Sequence, residues 1–369
     1  MNYHVFPGNI LHLSPAIIKE QVAAIKRICP SYLNQNFFCV IMYYDKILYD
    51  NVETNPYDKV FREIGVSSYR LFYSFWDLYR FIMTRENKSQ IIYHKKLLQK
   101  EQVLINISLR VFKYRLLRRC SMVCWGAGDL AVEHSTKMKQ KIANYVIRDT
   151  FRKYRTIVAI SQEDYSMLKK EHPRCQGVYA PYLRISPLEL LNPKKRKERP
   201  LVMVSHSGWP HNRHHDSFEL LSKYAGAIDV LCPLCYGDEK YIKQVIEEGN
   251  SVFGNGFRYF RELMEYMDYQ KLLLDVDIFV SSAECQTGLG AISLCISGGS
   301  RLFLTENLYN SMKCCGYVVD NVHNIANMSF YEFSTPLSDE EAHRNVDVRN
   351  YESYDGIEFV ERWRKLYQN

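Results

Sequence analysis

The sequence predicts an α/β protein of two domains, each folded around a parallel sheet. Three observations lead there. Apolar runs of strand length alternate with amphipathic runs of helix length from end to end, the signature of strand–helix–strand units. The chain has 369 residues, where one domain takes roughly 100–200. Near its middle, residues 192–200 form a charged stretch bracketed by prolines, which predicts an exposed linker. With 47% hydrophobic residues, each half has enough apolar side chains for its own core. Domains are therefore expected at residues 1–190 and 200–345, with a closing segment at 351–369.

In the first half, short apolar runs predict strands over residues 3–6, 37–42, 90–93, 121–125 and 156–160. Amphipathic runs predict helices over 16–28, 94–118, 137–154 and 162–171. In the second half, strands are expected over 201–205, 227–232, 276–281 and 301–304, and helices over 216–224, 239–248, 259–274 and 289–297. The closing segment is helical by pattern, because Ile357, Val360, Trp363 and Tyr367 recur at steps of three or four.

Charge narrows the partners. The formal net charge is +7, but residues 110–155 alone hold 12 Lys/Arg against three acids, so the rest of the chain is about neutral. This basic region suits an anionic surface such as phospholipid or a polyprenyl diphosphate; a solvated helix face is the competing reading. The basic run at 194–199 lacks aromatic interleaving, so no nucleic-acid partner is expected. The 11 cysteines are odd in number and scattered. With no leader ahead of the first strand, they read as free thiols in a reducing cytoplasm. No apolar run approaches the roughly 20 residues of a membrane span, so any membrane contact is expected to be peripheral.

Three constellations could carry chemistry. In the first, the strand Val202-Met203-Val204 leads into Ser205-His206-Ser207-Gly208 and then a helix. Hydroxyls and backbone N–H groups at such a loop can hold an anion. An ordinary strand-to-helix turn is the plain alternative. In the second, the strand at 276–281 is followed by Gln286, Gly288 and Gly290 and another helix, whose N-terminus offers unpaired N–H groups and positive dipole. Glu306 and Asn307 come at the end of the next strand, beside the same crevice. In the third, His12, His94 and Asp129 follow strands of the first half. They sit where an open α/β sheet binds ligands and are candidates for a general base. The four histidines at 206, 211, 214 and 215 lack a metal-ligand pattern, so no metal is expected. Cys232-Pro233-Leu234-Cys235 closes a strand outside any thioredoxin-like order, so no redox role is expected.

The order of these motifs resembles the bacterial 4-acetamido-4,6-dideoxygalactosyltransferases, the TDP-N-acetylfucosamine:lipid II N-acetylfucosaminyltransferases of enterobacterial common antigen assembly. The matching positions are His4, His12 and His94; Trp125-Gly126-Ala127-Gly128-Asp129-Leu130, with one inserted glycine; Ser207-Gly208, Asn212 and His214; Pro233, Tyr236, Tyr241 and Ile242; Gln286, Gly288 and Gly290; and Glu306-Asn307. The resemblance implies a GT-B fold, with two Rossmann-like domains of parallel sheet facing across a cleft. It implies a C-terminal helix at 351–369 returning to the first domain, and metal-independent transfer with no cofactor. A TDP- or UDP-type nucleotide sugar would be held by the second domain, through Ser205, Ser207, Gly208, Asn212, Gln286, Gly288, Gly290 and Glu306. A polyprenyl-diphosphate-linked or glycan acceptor would be held by the first, with His12, His94 and Asp129 near the reacting centre. Peripheral membrane contact through residues 110–155, on the inner face of the cell membrane, would follow. The rival enzyme class, a nucleotide-sugar epimerase or oxidoreductase, calls for G-x-G-x-x-G after the first strand. That loop instead reads Pro7-Gly8-Asn9-Ile10-Leu11-His12. A non-catalytic membrane-associated binding protein is the other alternative.

Overall fold

The computed structural model describes residues 2–8, 15–30, 36–42, 55–73, 77–78, 80–81, 90–93, 118–125, 130, 138–283 and 288–368. It divides into two units, Met1–Ser186 with Glu352–Asn369, and Pro187–Tyr351.

The first unit runs β1 (Asn2–Gly8), α1 (Pro15–Ile28), β2 (Asn36–Met42), α2 (Pro56–Glu63), β3 (Tyr69–Phe72), β4 (Gln90–Tyr93), β5 (Cys120–Cys124), α3 (Met138–Phe151), β6 (Thr156–Ala159), α4 (Gln162–Glu171) and β7 (Gly177–Tyr179). The strands form one parallel sheet in the order β3-β2-β1-β4-β5-β6-β7. Every β5 residue is buried, the state of a parallel strand covered on both faces. Helix α1 turns Ile18, Val22, Ile25 and Ile28 onto one buried stripe. The helix predicted over 94–118 lies outside the described residues.

The second unit runs β8 (Leu201–Val204), α5 (His214–Leu221), β9 (Asp229–Pro233), α6 (Glu239–Phe253), β10 (Phe257–Phe260), α7 (Tyr266–Asp275), β11 (Ile278–Ser281), α8 (Leu289–Ser297), β12 (Arg301–Leu304), α9 (Glu306–Cys315), β13 (Asp320–Asn321), α10 (Phe330–Ser334) and α11 (Asp339–Asn350). Its sheet is also parallel, in the order β10-β9-β8-β11-β12-β13. Successive side chains go to opposite faces. Val202, Val204, Ile278, Val280 and Phe303 enter one core, and Met203, Phe279, Leu302 and Leu304 enter the other. In each sheet the winding reverses once, between β1 and β4 and between β8 and β11. Such a switch point opens a crevice at the carboxyl ends of the two strands.

The last helix, α12 (Ile357–Gln368), belongs to the first unit. Trp363 Nε1 donates to Pro181 O at 2.7 Å, Arg364 Nε to Ile28 O at 2.9 Å, and Gln90 Nε2 to Leu366 O at 3.2 Å.

Two predictions from the sequence need correction. Residues 259–274 are not one helix. Phe257–Phe260 pairs with β9 as an edge strand, and α7 begins only at Tyr266. Three aromatics in four residues suit a half-covered strand better than a helix. The charged stretch at 192–200 is not a linker between the units but part of the second one. Asn192 Nδ2 donates to Leu274 O at 2.8 Å, Lys197 pairs with Asp277 at 2.8 Å, and Arg199 with Asp229 at 2.6 Å. Asp229 begins β9 and Asp277 directly precedes β11. The stretch is thus strapped along the amino edge of the sheet, by counter-charges distant in sequence.

Two buried histidines set an acid limit on stability. His4 stacks on Phe38, with Nε2 3.0 Å from Asn36 Oδ1, and His214 packs against Tyr241 and Phe218. Burial pushes His4 down to about 4 and His214 down to about 3. Both are neutral in the fold and gain protons on unfolding. Their contribution is therefore complete above about pH 6.5 and lost as pH falls. Between about pH 5.5 and 4.5, unfolding should take up about two protons through this pair, roughly 2–3 kcal/mol per pH unit. Urea titrations at several pH values check this. His4→Gln should reduce the slope by about one proton, and an unchanged slope would refute the assignment.

Candidate functional site

The switch point of the second unit is described on both sides. On the β8 side, Ser205 N–H still donates to Val280 O at 3.0 Å, but its φ of 55° turns the chain sharply away from the sheet. A left-handed non-glycine residue costs about 1–2 kcal/mol, and such strain gathers at functional sites. The turn is clamped from within. Asn212, in a 3-10 turn at Pro210–Asn212, donates through Nδ2 to Ser207 O at 2.6 Å and Ser207 Oγ at 2.9 Å. Gly208 N–H donates to Tyr236 O at 2.8 Å, and Asp238 N–H to Gly208 O at 3.0 Å. The loops that follow β8 and β9 are thereby joined.

Four of the predicted donor residues are held within the loop itself. Ser205, Ser207 and Asn212 are buried, and the side chains of Ser207 and Asn212 are engaged with each other. Gly208 is accounted for by packing, since a Cβ there would stand 2.2 Å from Ile242 Cγ1. These side chains hold the loop together, and His206 among them is half-buried. Sequence reasoning missed the reason because the two partners, Tyr236 and Ile242, follow a different strand. If Asn212 is the clamp, Asn212→Ala should lose roughly 1–3 kcal/mol of stability. Chemical denaturation measures that, and a neutral outcome would remove the clamp.

On the β11 side, Ser282 Oγ lies 2.8 Å from Ser217 Oγ, anchoring the strand end to α5. Gly288 is the N-cap of α8, in the left-handed region at φ 71°. A Cβ on it would stand 2.8 Å from His206 Nδ1, so the two sides of the switch point meet at this glycine. Gly290 is different. It is exposed in the first turn of α8, and a Cβ there would meet nothing within 4 Å. Among the described residues nothing demands glycine at that position. The first intrahelical bond runs from Ile292 N–H to Gly288 O. The N–H groups of Leu289, Gly290 and Ala291 therefore have no acceptor in the helix. A helix N-terminus of this kind attracts anions.

His206 was not among the sequence-derived site residues, although it follows β8 at the carboxyl edge of the sheet. Its ring lies edge-on to Tyr236, with Nε2 3.3 Å from Ser207 Oγ. Burial and the neighbouring His211 push it down to about 4, so it stands neutral at pH 7. One strand further, Thr305 N–H donates to Ser281 O at 3.1 Å, and Thr305 Oγ1 to Ala283 O at 2.7 Å. This fixes the start of α9, whose first residue, Glu306, is exposed.

His12, His94, Asp129 and Gln286 lie outside the described residues. Of the strands preceding the first three, β1 and β4 pair at the switch point of the first unit and β5 pairs with β4. Among the described residues no group of three His, Cys, Asp or Glu could hold a metal ion.

A family model described as 4-alpha-L-fucosyltransferase glycosyl transferase group 56 matches residues 82–310, more than half of the chain. No curated protein matches. Solved structures with a similar fold include HepE from Anabaena in complex with UDP and glucose, at TM-score 0.63 and 10% identity, over 100% of this chain and 99% of that one. Sucrose-phosphate synthase from Thermosynechococcus elongatus aligns at TM-score 0.66 and 10% identity, over 100% and 98%. A glycosyltransferase from Rickettsia africae aligns at TM-score 0.59 and 12% identity, over 100% and 97%. The two parallel α/β units have the GT-B fold.

Proposed function

The chain belongs to the 4-alpha-L-fucosyltransferase group 56 family of glycosyltransferases, and from this premise we propose that it transfers N-acetylfucosamine or a related deoxyhexose from a TDP- or UDP-type donor to a lipid-linked acceptor. The observation that carries this reading is the open first turn of α8 at the switch point of the second unit. Three amides without an acceptor in the helix and an exposed glycine suit a diphosphate. Two further findings support it. HepE, with the same fold, is recorded with UDP and glucose. Glu306, past the next strand, is well placed in sequence to accept from ribose hydroxyls, as acids do in nucleotide-binding sheets.

In this reading the acceptor oxygen attacks C1 of the sugar and forms the new glycosidic bond. The bond from C1 to the diphosphate oxygen breaks, and its electron pair leaves with the diphosphate. The acceptor proton goes to a base, for which His12, His94 and Asp129 remain the candidates. The amides of Leu289, Gly290 and Ala291 would stabilise the leaving charge. Fixed donors of this kind need no reorganisation during the reaction. Gly288 and Gln286 would line the same loop, and the buried Ser205, Ser207, Gly208 and Asn212 would hold it in shape.

A panel of nucleotides tests the donor half. UDP or TDP should raise the melting temperature more than GDP, CMP or NAD. A labelled donor panel incubated with membrane lipid extract tests the acceptor half. A response to NAD alone would end the transferase reading, and failure of every donor to label lipid would end the lipid acceptor.

A further inference from the structure

We propose that the exposed indole of Trp209 is a stacking platform for the sugar ring of the donor, and that it favours a ring with an apolar face, such as a 6-deoxyhexose. Trp209 is 42% exposed. The other described tryptophans are withdrawn from water, Trp363 buried and Trp125 half-buried. Between residues 205 and 213, Trp209 is the one large apolar side chain that is exposed. A single ring is too small a face for a protein partner, whose interfaces take about 800 Å² a side. It matches one face of one pyranose, and the indole N–H can donate to a sugar hydroxyl.

The backbone that carries the ring is fixed before anything binds. On one side Gly208 is bonded to Tyr236 O and to the Asp238 N–H. On the other, Pro210 has its φ locked by its own ring. Trp209 O accepts from Asn212 N–H at 3.0 Å, and the His211 ring lies at a centroid distance of 6.4 Å with an interplanar angle of 9°. Ser205 and Arg213 are the two non-glycine residues with positive φ among the described residues, and they stand at the two ends of this loop. Strain of that kind gathers at ligand-binding sites. A ring held this way has little freedom to lose on binding, which favours the contact.

Strand order says which part of the donor the ring meets, a step that rests on the donor reading above. The α8 amides follow β11, Glu306 follows β12, and the Trp209 loop follows β8. The sheet runs β8-β11-β12, with neighbours about 4.8 Å apart. A nucleotide sugar is linear, with nucleoside, diphosphate and sugar in that order. With the diphosphate at α8 and the ribose toward Glu306, the sugar points to the β8 side. Trp209 lies three residues beyond His206, a reach of at most about 11 Å, and a Cβ on Gly288 would stand 2.8 Å from His206 Nδ1. The C–H face of a hexose can cover an aromatic ring, and a methyl group in place of the C6 hydroxymethyl makes that face more apolar.

The test is calorimetric titration of the full chain, Trp209→Ala and Trp209→Phe with UDP, TDP, UDP-glucose and TDP-rhamnose. The indole is at the surface, so both variants should melt close to the unaltered protein. UDP and TDP should bind all three proteins alike. Trp209→Ala should lose roughly three- to tenfold in affinity for the sugar nucleotides, more for TDP-rhamnose than for UDP-glucose, and Trp209→Phe should recover most of it. In acrylamide quenching, the sugar nucleotides, but not UDP or TDP, should shield the fluorescence that Trp209→Phe removes. An equal loss for nucleotide and sugar nucleotide would put the base on the ring. Unchanged donor affinity, with or without a raised KM for the acceptor, would take the donor sugar off it. Either result would overturn the platform while the donor reading stands. An unaltered protein that binds neither UDP nor TDP would instead sink the donor reading, and the platform with it.

Discussion

Replacing Gly290 with alanine should leave the protein folded, and slightly more stable, while transfer collapses. The two effects have separate causes. Gly290 is in the first turn of α8 with an ordinary negative φ, and a methyl group there meets no atom within 4 Å. Alanine is the better helix former by up to about 1 kcal/mol, so the melting temperature should hold or rise. A bound diphosphate changes the position. The methyl group would occupy the space through which a phosphate approaches the α8 amides. Removing one such donor contact from a leaving group costs roughly 10²–10³ in rate. Gly290→Leu should be worse, in proportion to its size, and both variants should lose their thermal response to UDP or TDP. A stable Gly290→Ala protein with unchanged kcat/KM would move the donor away from α8.

The fold was legible where strands are buried on both faces. All nine strands expected from the sequence are present, and each lies in the interior of its sheet. The four that escaped, β3, β7, β10 and β13, are the four edge strands. An edge strand is short and half solvated, so it need not carry an apolar run. Phe257–Phe260 shows the consequence, with two exposed residues between its ends, which a periodicity reading folded into the following helix. The 192–200 stretch failed for a related reason. Its composition is that of a linker, but its charges are answered by Asp229 and Asp277, roughly 30–80 residues away in sequence.

The site was legible to a lesser depth. The strand, glycine pair and helix N-terminus around Gly288 and Gly290 could be read, because they follow one another in the chain. What each glycine does could not, since that depends on which atoms approach it. Gly288 is constrained by His206, Gly208 by Ile242 and Gly290 by nothing among the described residues. Ser207 and Asn212 look alike as ligands in sequence, yet their short mutual hydrogen bond makes them a clamp. His206 is legible only by its place after β8, at the carboxyl edge of the sheet.

The largest loss of stability is expected at Gly237, and a comparison with Gly208 separates two kinds of close packing. Gly237 has φ 148°, and a Cβ on it would stand 2.2 Å from both the carbonyl carbon and oxygen of Gly208. The obstacle is backbone, so no trimming of a side chain can relieve it. Gly237→Ala should lose about 4 kcal/mol or more, in the range reached only when special backbone geometry is broken. At Gly208 the obstacle is the Ile242 side chain, with Cγ1 at 2.2 Å and Cδ1 at 2.6 Å. Gly208→Ala should therefore cost about 1–3 kcal/mol, as overpacking does. Ile242→Ala alone leaves a cavity worth about 2–5 kcal/mol. Combined, the new methyl group enters part of that cavity, and the double variant should be more stable than the two single losses predict by about 1–2 kcal/mol. Urea denaturation of the four proteins measures the cycle. Additivity at Gly208 and Ile242, or rescue of Gly237→Ala by Ile242→Ala, would show that the two loops are not joined through Gly208 and Gly237. In every variant that folds, the response to nucleotide should weaken along with the junction, because the Ser205–Gly208 turn is held to the sheet from the β9 side.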